Sequence, residues 1–173
     1  MSSINQHVFS LDDHLFMQRA IELAKKAEAI DEIPVGAVVV HQGKIIGEGY
    51  NQSITLNDPS AHAEMLAIRQ AGESLSNYRL LDCTLYVTLE PCPMCAGLLV
   101  HSRINKVIYA SPDLKTGSAG SVFNLIAHEK LNHQISHCSG LYQEQCSSLL
   151  SNFFKRRRKE KKALKKALKG NAT

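Results

Sequence analysis

The run Cys83-Thr84-Leu85-Tyr86-Val87-Thr88-Leu89-Glu90-Pro91-Cys92-Pro93-Met94-Cys95 organises the whole chain. Its first part is β-branched and aromatic, has no breaker before Pro91, and predicts a buried strand. The residues after the run are helical in composition, and Pro93 suits the first turn of a helix, where its missing N–H needs no partner. Cys92 and Cys95 are therefore expected at the start of a helix, where two sulfurs can bind one ion and the positive helix end favours thiolates.

A Cys-x-x-Cys pair by itself has several interpretations. It fits a thioredoxin-like redox pair, half of a structural zinc site, or two core cysteines. A second motif lies upstream, where His62-Ala63-Glu64 begins another apolar run of helical character. Taken alone, that motif also fits a helix N-terminus at which Glu64 merely complements the helix dipole. The two motifs together, H-x-E and then P-C-x-x-C, resemble the signature of the zinc-dependent nucleobase and nucleoside deaminases.

The donor set predicts a catalytic zinc site. His62, Cys92 and Cys95 are three ligands that suit zinc, and they leave the fourth tetrahedral position to water. A structural site needs a fourth ligand, and the nearest candidate, Cys83, lies on a strand away from the helix start. Glu64 is then the general base: it takes a proton from the water that attacks the amidine carbon, and passes protons to the ring nitrogen and the departing ammonia.

Length and composition indicate one ordinary domain, because 173 residues can bury a sizeable core. No apolar run is long enough to span a bilayer, and Met1 to Ser10 lacks the pattern of a secretory signal. Cys83, Cys138 and Cys146 are expected to be reduced and buried. We therefore expect no membrane contact and a cytoplasmic location.

The charge of the chain is unevenly distributed. Residues 155–169 contain ten Lys/Arg and one Glu, whereas the rest of the chain holds ten Lys/Arg and fifteen Asp/Glu. A mildly acidic body thus carries a strongly basic tail, which suggests a polyanionic partner. A membrane-surface helix needs a larger apolar face, and a nuclear localisation signal fits the composition without specificity. Contact with nucleic-acid phosphates explains the charge most directly, and a solvated, frayed tail is the alternative beyond Lys162.

Hydrophobic periodicity predicts alternating helices and strands, and hence an α/β layer structure in which helices cover a sheet. Ser10 with Asp13 resembles a capping box for the first helix, and Asp58 and Ser60 are both candidate caps of the second helix. The last helix is expected to bury a stripe of apolar side chains formed by Leu149, Leu150, Phe153 and Phe154. The expected elements are a helix over Ser10–Ile30, a hairpin of strands Pro34–Val40 and Lys44–Gly49, a helix over Ala61–Ser74, a strand over Ile104–Ala110, a short helix over Val122–His128, an ambiguous segment Lys130–Ser139, and a last helix from Leu141 into the basic tail.

The loop from Ser111 to Ser121 follows a strand end, the place where open α/β sheets bind ligands. It contains Asp113, Lys115 and Gly117. Three histidines further along do not share a helix face and are interpreted as surface residues. These are His128, His133 and His137.

Beyond the zinc motifs, the chain resembles the bacterial tRNA-specific adenosine deaminases, which convert adenosine to inosine at the wobble position of the anticodon. The resemblance runs from the first helix to the arginines of the last one, and the lysine-rich extension after Lys159 lies outside it. It rests on the segments Pro34-Val35-Gly36-Ala37-Val38, Gly47-Glu48-Gly49-Tyr50-Asn51, Ala61-His62-Ala63-Glu64, Thr84 to Ile104, Lys115 to Ser121, and Phe153-Phe154 with Arg157-Arg158.

The resemblance implies further features of the fold, the cofactor and the partners. It implies a three-layer α/β/α sandwich with a central mixed sheet of about five strands, and residues 1–154 are expected to form the deaminase domain. The charge distribution, not the resemblance, predicts that residues 155–173 form a basic helical extension with a frayed distal end. It implies one Zn²⁺ per subunit, a homodimer, and the tRNA anticodon stem-loop as partner.

The resemblance also implies roles for individual residues. Asn51 would hold the target base, Ala63 would donate a backbone hydrogen bond to it, and Asp113 would line the nucleotide groove. The tRNA contacts would be Phe154, Arg157 and Arg158.

Two other functions compete with this one. A deaminase of a free base or nucleoside, such as guanine or cytidine, would use the same zinc chemistry without a need for the basic tail. A non-catalytic RNA-binding module with a structural zinc would keep every function after Glu64→Ala. Deaminase activity on RNA that falls steeply with salt would distinguish the tRNA deaminase from the free-base deaminase and from the non-catalytic module.

Overall fold

The computed structural model describes residues 8–170, with side chains through Leu168. Residues 171–173 of the expected basic extension lie outside the described residues. The chain forms a five-stranded mixed sheet covered by helices, with the strand order β2-β1-β3-β4-β5. The elements along the chain are α1 (Leu11–Ala29), β1 (Gly36–His41), β2 (Lys44–Tyr50), α2 (Ala63–Leu75), β3 (Cys83–Leu89), α3 (Pro93–His101), β4 (Lys106–Ser111), β5 (Ser136–Ser139) and α4 (Gln143–Gly170).

The strands pair in both directions. β1 is antiparallel to β2 and to β3, while β3, β4 and β5 are parallel to one another. The parallel pair β3–β4 is linked through α3, as a crossover connection requires. The carboxyl ends of β3 and β4 therefore meet at one edge of the sheet.

Alternation along the central strands divides the core into two clusters, one on each face of the sheet. In β1, Val39 packs with α2 and α3, whereas Val38 and Val40 pack with α1. In β3, Leu85 and Val87 join the first cluster and Tyr86 joins the second. Because successive side chains of a strand point to opposite faces, this sequence pattern produces the predicted three-layer sandwich.

Most of the predicted elements are present, with shifted ends. Ser10 caps α1 in a capping box with Asp13, as expected. The predicted cap of α2 is wrong, because its N-cap is His62, which makes no side-chain capping hydrogen bond. Asp58 instead accepts hydrogen bonds from the backbone N–H of Ser60, at 2.8 Å, and from its hydroxyl, at 2.7 Å. Both candidate caps are thus used in the preceding turn.

The predicted short helix over Val122–His128 is also wrong. This segment is a series of turns in which Ala119 and Asn124 form an isolated bridge. The ambiguous segment after it ends in β5, which pairs with β4. Five apolar residues interrupted by Asn124 cannot specify a helix by periodicity, and the hydrogen bonds to the preceding loop decide the conformation of the segment.

Helix α4 continues to Gly170, so the basic segment is helical as far as the structure describes it. The expectation that its distal end frays stays a prediction. Its buried stripe differs from the predicted one: Phe153 is buried, whereas Phe154 is 42% exposed. Cys83 and Cys146 are buried as expected, Cys138 is half-buried, and all three are free thiols. None of the helices within residues 8–170 is long and apolar enough to cross a membrane.

Candidate active site

The three predicted zinc ligands lie where two helices begin. His62 is the N-cap of α2 and Cys92 is the N-cap of α3, each in an extended backbone conformation without a side-chain capping bond. Cys95 lies in the first turn of α3, whose first residue is Pro93. Both helices therefore direct their positive ends towards the same point, which favours thiolates there.

The distances between the ligand atoms fit a tetrahedral zinc ion. Nδ1 of His62 lies 3.7 Å from Sγ of Cys92 and 3.6 Å from Sγ of Cys95. Zn–S bonds of about 2.3 Å and Zn–N bonds of about 2.0 to 2.1 Å at tetrahedral angles give an N···S separation of about 3.6 Å. Among the described residues, these three form the one group of His, Cys, Asp or Glu side chains whose ligand atoms cluster closely enough to bind a metal ion.

A hydrogen bond from the Cys95 thiol favours the thiolate form of Cys92, which is the form that binds metal ions. The side-chain hydrogen bond from Cys95 is the largest cause that lowers the pKa of the Cys92 thiol, to about 4, and hydrogen bonds from His62 and the Cys95 backbone add to it. The pKa of Cys95 is raised, first because its thiol donates to Cys92 and then because it is buried. Binding a cation at this point would release the remaining thiol proton.

Glu64 lies within the first turn of α2 and is almost inaccessible, with 4% of its surface exposed. Burial, with a smaller contribution from the neighbouring Cys92, raises the pKa of its carboxyl to about 7. A carboxyl of this kind can exchange a proton near neutral pH, as a general acid and base must. His62 and Glu64 are two residues apart, and they reach the same site because both lie at the helix start.

A cleft of about 810 Å³ opens above the ligand cluster at the carboxyl ends of β3 and β4. This is the edge at which open α/β sheets bind ligands. Its floor contains His62, Glu64 and Cys92, and its walls come from several separate parts of the chain. The wall residues include Asn51, Ile54 and Pro59 from one loop, Pro112 to Thr116 from another, and Ser147, Leu150, Ser151 and Phe154 from α4.

Asn51 and Ala63 are brought together in this cleft. The backbone N–H of Ala63 donates to Oδ1 of Asn51 at 2.9 Å, and Asn51 is 8% exposed. The bond fixes the Asn51 amide so that its Nδ2 remains as a hydrogen-bond donor. Ala63 could donate to a base only by leaving Asn51, and its role as a base contact stays a prediction.

Asp113 lines the cleft but also folds its own loop. Its Oδ1 accepts hydrogen bonds from the backbone of Lys115, at 2.9 Å, and of Thr116, at 3.2 Å, while Oδ2 accepts from the Thr116 hydroxyl at 2.6 Å. Burial by itself would raise the pKa of Asp113, but these contacts, led by the Thr116 hydroxyl, together outweigh it and lower the pKa. The carboxylate therefore presents a negative charge at the rim.

Glu90 anchors the same loop from below and was not predicted as a functional residue. Its carboxylate accepts from the backbone N–H groups of Asp113 at 3.0 Å, Ala119 at 2.9 Å and Ser121 at 3.1 Å, and from the Ser121 hydroxyl. Glu90 is 2% exposed. At Gly117 an added Cβ would lie 2.3 Å from this carboxylate, so a glycine is required there.

Glu32 has a comparable position on the opposite wall. It is 2% exposed and accepts a hydrogen bond from the backbone N–H of Thr55 at 2.6 Å. This contact holds the loop that carries Ile54 and Pro59. The sequence carries a signal for Glu90, since this residue directly follows a buried strand and a charged residue is buried only when it is paired, but none for Glu32.

Phe154, Arg157 and Arg158 lie along α4. Phe154 lines the cleft, while Arg157 and Arg158 lie beyond it and are exposed. The hydroxyls of Ser147 and Ser111 are 2.7 Å apart, and this bond joins α4 to the end of β4. The contribution of α4 to the cleft wall was missed because sequence spacing does not show where a distant helix packs.

Comparison with known proteins places the chain in a family. Residues 10–111 match the model of the cytidine and deoxycytidylate deaminase zinc-binding region. A tRNA-specific adenosine deaminase of Haemophilus influenzae is 52% identical over 158 residues, which are 91% of this chain and 91% of the relative.

Two solved structures are also similar. One comes from a study of A-to-I editing by tRNA:A34 deaminases at the wobble position of transfer RNA; it is 38% identical, has a TM-score of 0.76, and the match covers 79% of this chain and 99% of the other. A guanine deaminase of Bacillus subtilis is 45% identical with a TM-score of 0.56, and the match covers 61% of this chain and 68% of the other. The chain therefore belongs to the zinc-dependent cytidine and deoxycytidylate deaminase superfamily and, within it, to the tRNA-specific adenosine deaminases.

Proposed function

We propose that this protein hydrolyses adenosine to inosine at the wobble position of a tRNA anticodon, releasing ammonia. The observation that carries the proposal is the buried Glu64 carboxyl beside the His62, Cys92 and Cys95 cluster, at the floor of an open cleft. The relatives named as tRNA-specific adenosine deaminases support the substrate. The unpaired bases of an anticodon loop cost little to turn out of their stack into such a pocket.

His62, Cys92 and Cys95 would hold one Zn²⁺ per subunit. When bound, this ion activates a water molecule for attack on C6 of adenine. Glu64 would take a proton from that water and deliver it to the adjacent ring nitrogen; it would then take the proton of the new hydroxyl on C6 and pass it to the amino group, which leaves as ammonia. Asn51 holds the base through its Nδ2, Asp113 lines the nucleotide groove, and Phe154, Arg157 and Arg158 contact the RNA.

Several broader features belong to the same proposal. Residues 1–154 form the deaminase domain and residues 155–173 the basic extension, with α4 continuous across the division. The enzyme acts in the cytoplasm as a homodimer, whose second subunit completes the RNA groove. Size measurement at micromolar concentration should give twice the 19.1 kDa mass of one chain.

The decisive experiment compares the wild type with Glu64→Gln on a tRNA that carries adenosine at the wobble position. The substitution keeps the shape of the side chain but removes its proton-transfer capacity, so the rate of inosine formation should fall by about 10² to 10⁴. Glu73→Gln is the matched control, because Glu73 is exposed on the same helix. Free adenosine, cytidine and guanine are assayed beside the tRNA.

The possible outcomes separate the competing functions. Wild-type activity on guanine or a nucleoside, with the tRNA untouched, would establish the free-base deaminase that the Bacillus subtilis structure suggests. Full activity of Glu64→Gln on tRNA would contradict the assigned role of Glu64. Binding of tRNA without any deamination would favour the non-catalytic module.

A further inference from the structure

Helix α4 has two halves with different surroundings. In the first half Cys146 and Phe153 are buried, and the helix forms one wall of the cleft. In the second half every residue from Arg157 to Leu168 is exposed. The helix is unbroken between the two halves, so the direction of each exposed side chain can be followed from the residues that line the cleft.

The cleft-lining face continues into a row of cations. Ser147, Ser151 and Phe154 line the cleft. An α-helix turns by about 100° per residue. Viewed along the helix axis, the directions of Arg158, Lys162 and Lys165 therefore lie within about 60° of that of Ser147. Lys161 lies about 40° from Ser147 in the opposite sense of rotation. We call these four residues the cleft-side cations: Arg158, Lys161, Lys162 and Lys165.

The acidic residue of this segment lies on the other side of the helix. Glu160 accepts from Arg156 at 3.0 Å and from Arg157 at 3.1 Å, and Arg156 also donates to Asp31 at 2.7 Å. Arg156 and Asp31 thereby hold the far side of α4 to the turn after α1. Among the described residues, no ion pair involves the cleft-side cations, which leaves their charge available to a partner.

We propose that the cleft-side cations bind the phosphate backbone of the same RNA whose target base enters the cleft, an inference that rests on the proposed function. At about 1.5 Å per residue, the face extends about 16 Å from Phe154 to Lys165, which is longer than a single nucleotide. The partner is therefore a polynucleotide that continues past the target base. Exposed lysines that follow a strand of phosphates contribute to affinity by releasing counterions and carry no sequence preference.

The test compares two triple variants with the wild type on the full-length tRNA substrate. Lys161→Gln, Lys162→Gln and Lys165→Gln together remove three cleft-side cations. Lys25→Gln, Lys26→Gln and Lys44→Gln remove the same charge from exposed positions on α1 and β2. Glutamine has nearly the helix propensity of lysine, and circular dichroism verifies that both proteins are folded.

For the α4 variant we expect KM for tRNA to rise by about tenfold or more with kcat unchanged, because these contacts are equal in the ground and transition states. The slope of log affinity against log salt should become shallower by about 2 to 3, since each of the three lost phosphate contacts contributes about 0.7 to 0.9. The control variant should keep both the wild-type KM and the wild-type slope.

Two results would overturn the inference while leaving the proposed function intact. One is an α4 variant that keeps the wild-type KM and salt slope. The other is a control variant in which KM rises as much as in the α4 variant, which would indicate an effect of net charge alone. A wild type that makes no inosine in tRNA would overturn the proposed function and this inference with it.

Discussion

At the scale of single residues, Glu90 decides the shape of the cleft rim. Its carboxylate is buried and accepts hydrogen bonds from three backbone N–H groups and one hydroxyl, all in the loop that carries Asp113. An amide cannot replace this carboxyl group without directing its own N–H groups at backbone N–H groups. The position of Asp113 therefore depends on the buried acceptor oxygens of Glu90.

Glu90→Gln should destabilise the fold by about 1 to 3 kcal/mol, because its NH₂ group would face backbone N–H groups at one oxygen position. It should also raise KM for tRNA, through displacement of the loop from Pro112 to Thr116. Glu32→Gln is the matched control: Glu32 is equally buried, but its Oε1 bond to Thr55 can be kept by the amide oxygen.

Chemical denaturation and steady-state kinetics of both variants check this prediction. A purely structural role of Glu90 would lower stability and leave KM unchanged at a temperature where the variant is folded. Equal losses of stability in Glu90→Gln and Glu32→Gln would contradict the argument that Glu90 is the more sensitive residue because it accepts more hydrogen bonds.

At the scale of elements, the close approach of β2 to α2 positions the His62-Ala63-Glu64 motif. A Cβ at Gly49 would lie 2.1 Å from the backbone oxygen of Ala63, the residue between His62 and Glu64. At Gly47 a Cβ would lie 2.2 Å from the oxygen of Ala67, one turn further along α2. Two glycines on one face of β2 thus allow α2 to lie directly against the strand.

Gly49→Ala should force α2 away from β2, with a stability cost of about 1 to 3 kcal/mol and a loss of activity from displacement of His62 and Glu64. Gly97→Ala is the control, because nothing lies within 4 Å of a Cβ at Gly97 and its helix should be stabilised by about 0.5 to 1 kcal/mol. Thermal unfolding, zinc content and inosine formation are the measurements. Full zinc content and activity in Gly49→Ala would show that the packing is more tolerant than the distances imply.

At the scale of the whole molecule, α1 is joined to the edge of the sheet by a two-point ion pair. Arg19 donates to both carboxylate oxygens of Glu48, at 2.7 and 2.9 Å. The hydrogen bond from Arg19 is the main cause that lowers the pKa of Glu48 below its ordinary value of 4.5. The pair therefore joins helix α1 to β2, which is an edge strand of the sheet.

This ion pair predicts a pH dependence of stability. Because the pKa of Glu48 is lower in the folded than in the unfolded protein, its contribution is fully present above about pH 4.5 and is lost as the pH falls through the lower folded value. The difference in unfolding free energy between the wild type and Glu48→Gln should therefore shrink as the pH falls from 5 to 3. Exposed Glu129→Gln is the control, and a difference that is independent of pH for Glu48→Gln would contradict the linkage.

The sequence by itself predicted the side chains of the proposed site and determined most of the elements. The proposed ligands His62, Cys92 and Cys95 and the proposed base Glu64 follow from two short motifs, because metal ligation and proton transfer need particular side chains at short spacing. The buried strands follow from continuous apolar runs, and the capping box of α1 from Ser10 and Asp13. These are local patterns, which can be recognised from short stretches of sequence.

Only the tertiary structure decided which distant parts surround the site. It placed Glu90 beneath the Asp113 loop, gave the Ala63 N–H to Asn51, exposed Phe154, and replaced the helix expected over Val122–His128 with turns. It also aligned the cations of α4 with the cleft. Each of these outcomes depends on contacts between residues far apart in sequence, and such contacts form only when the packed sheet and helices bring the segments together.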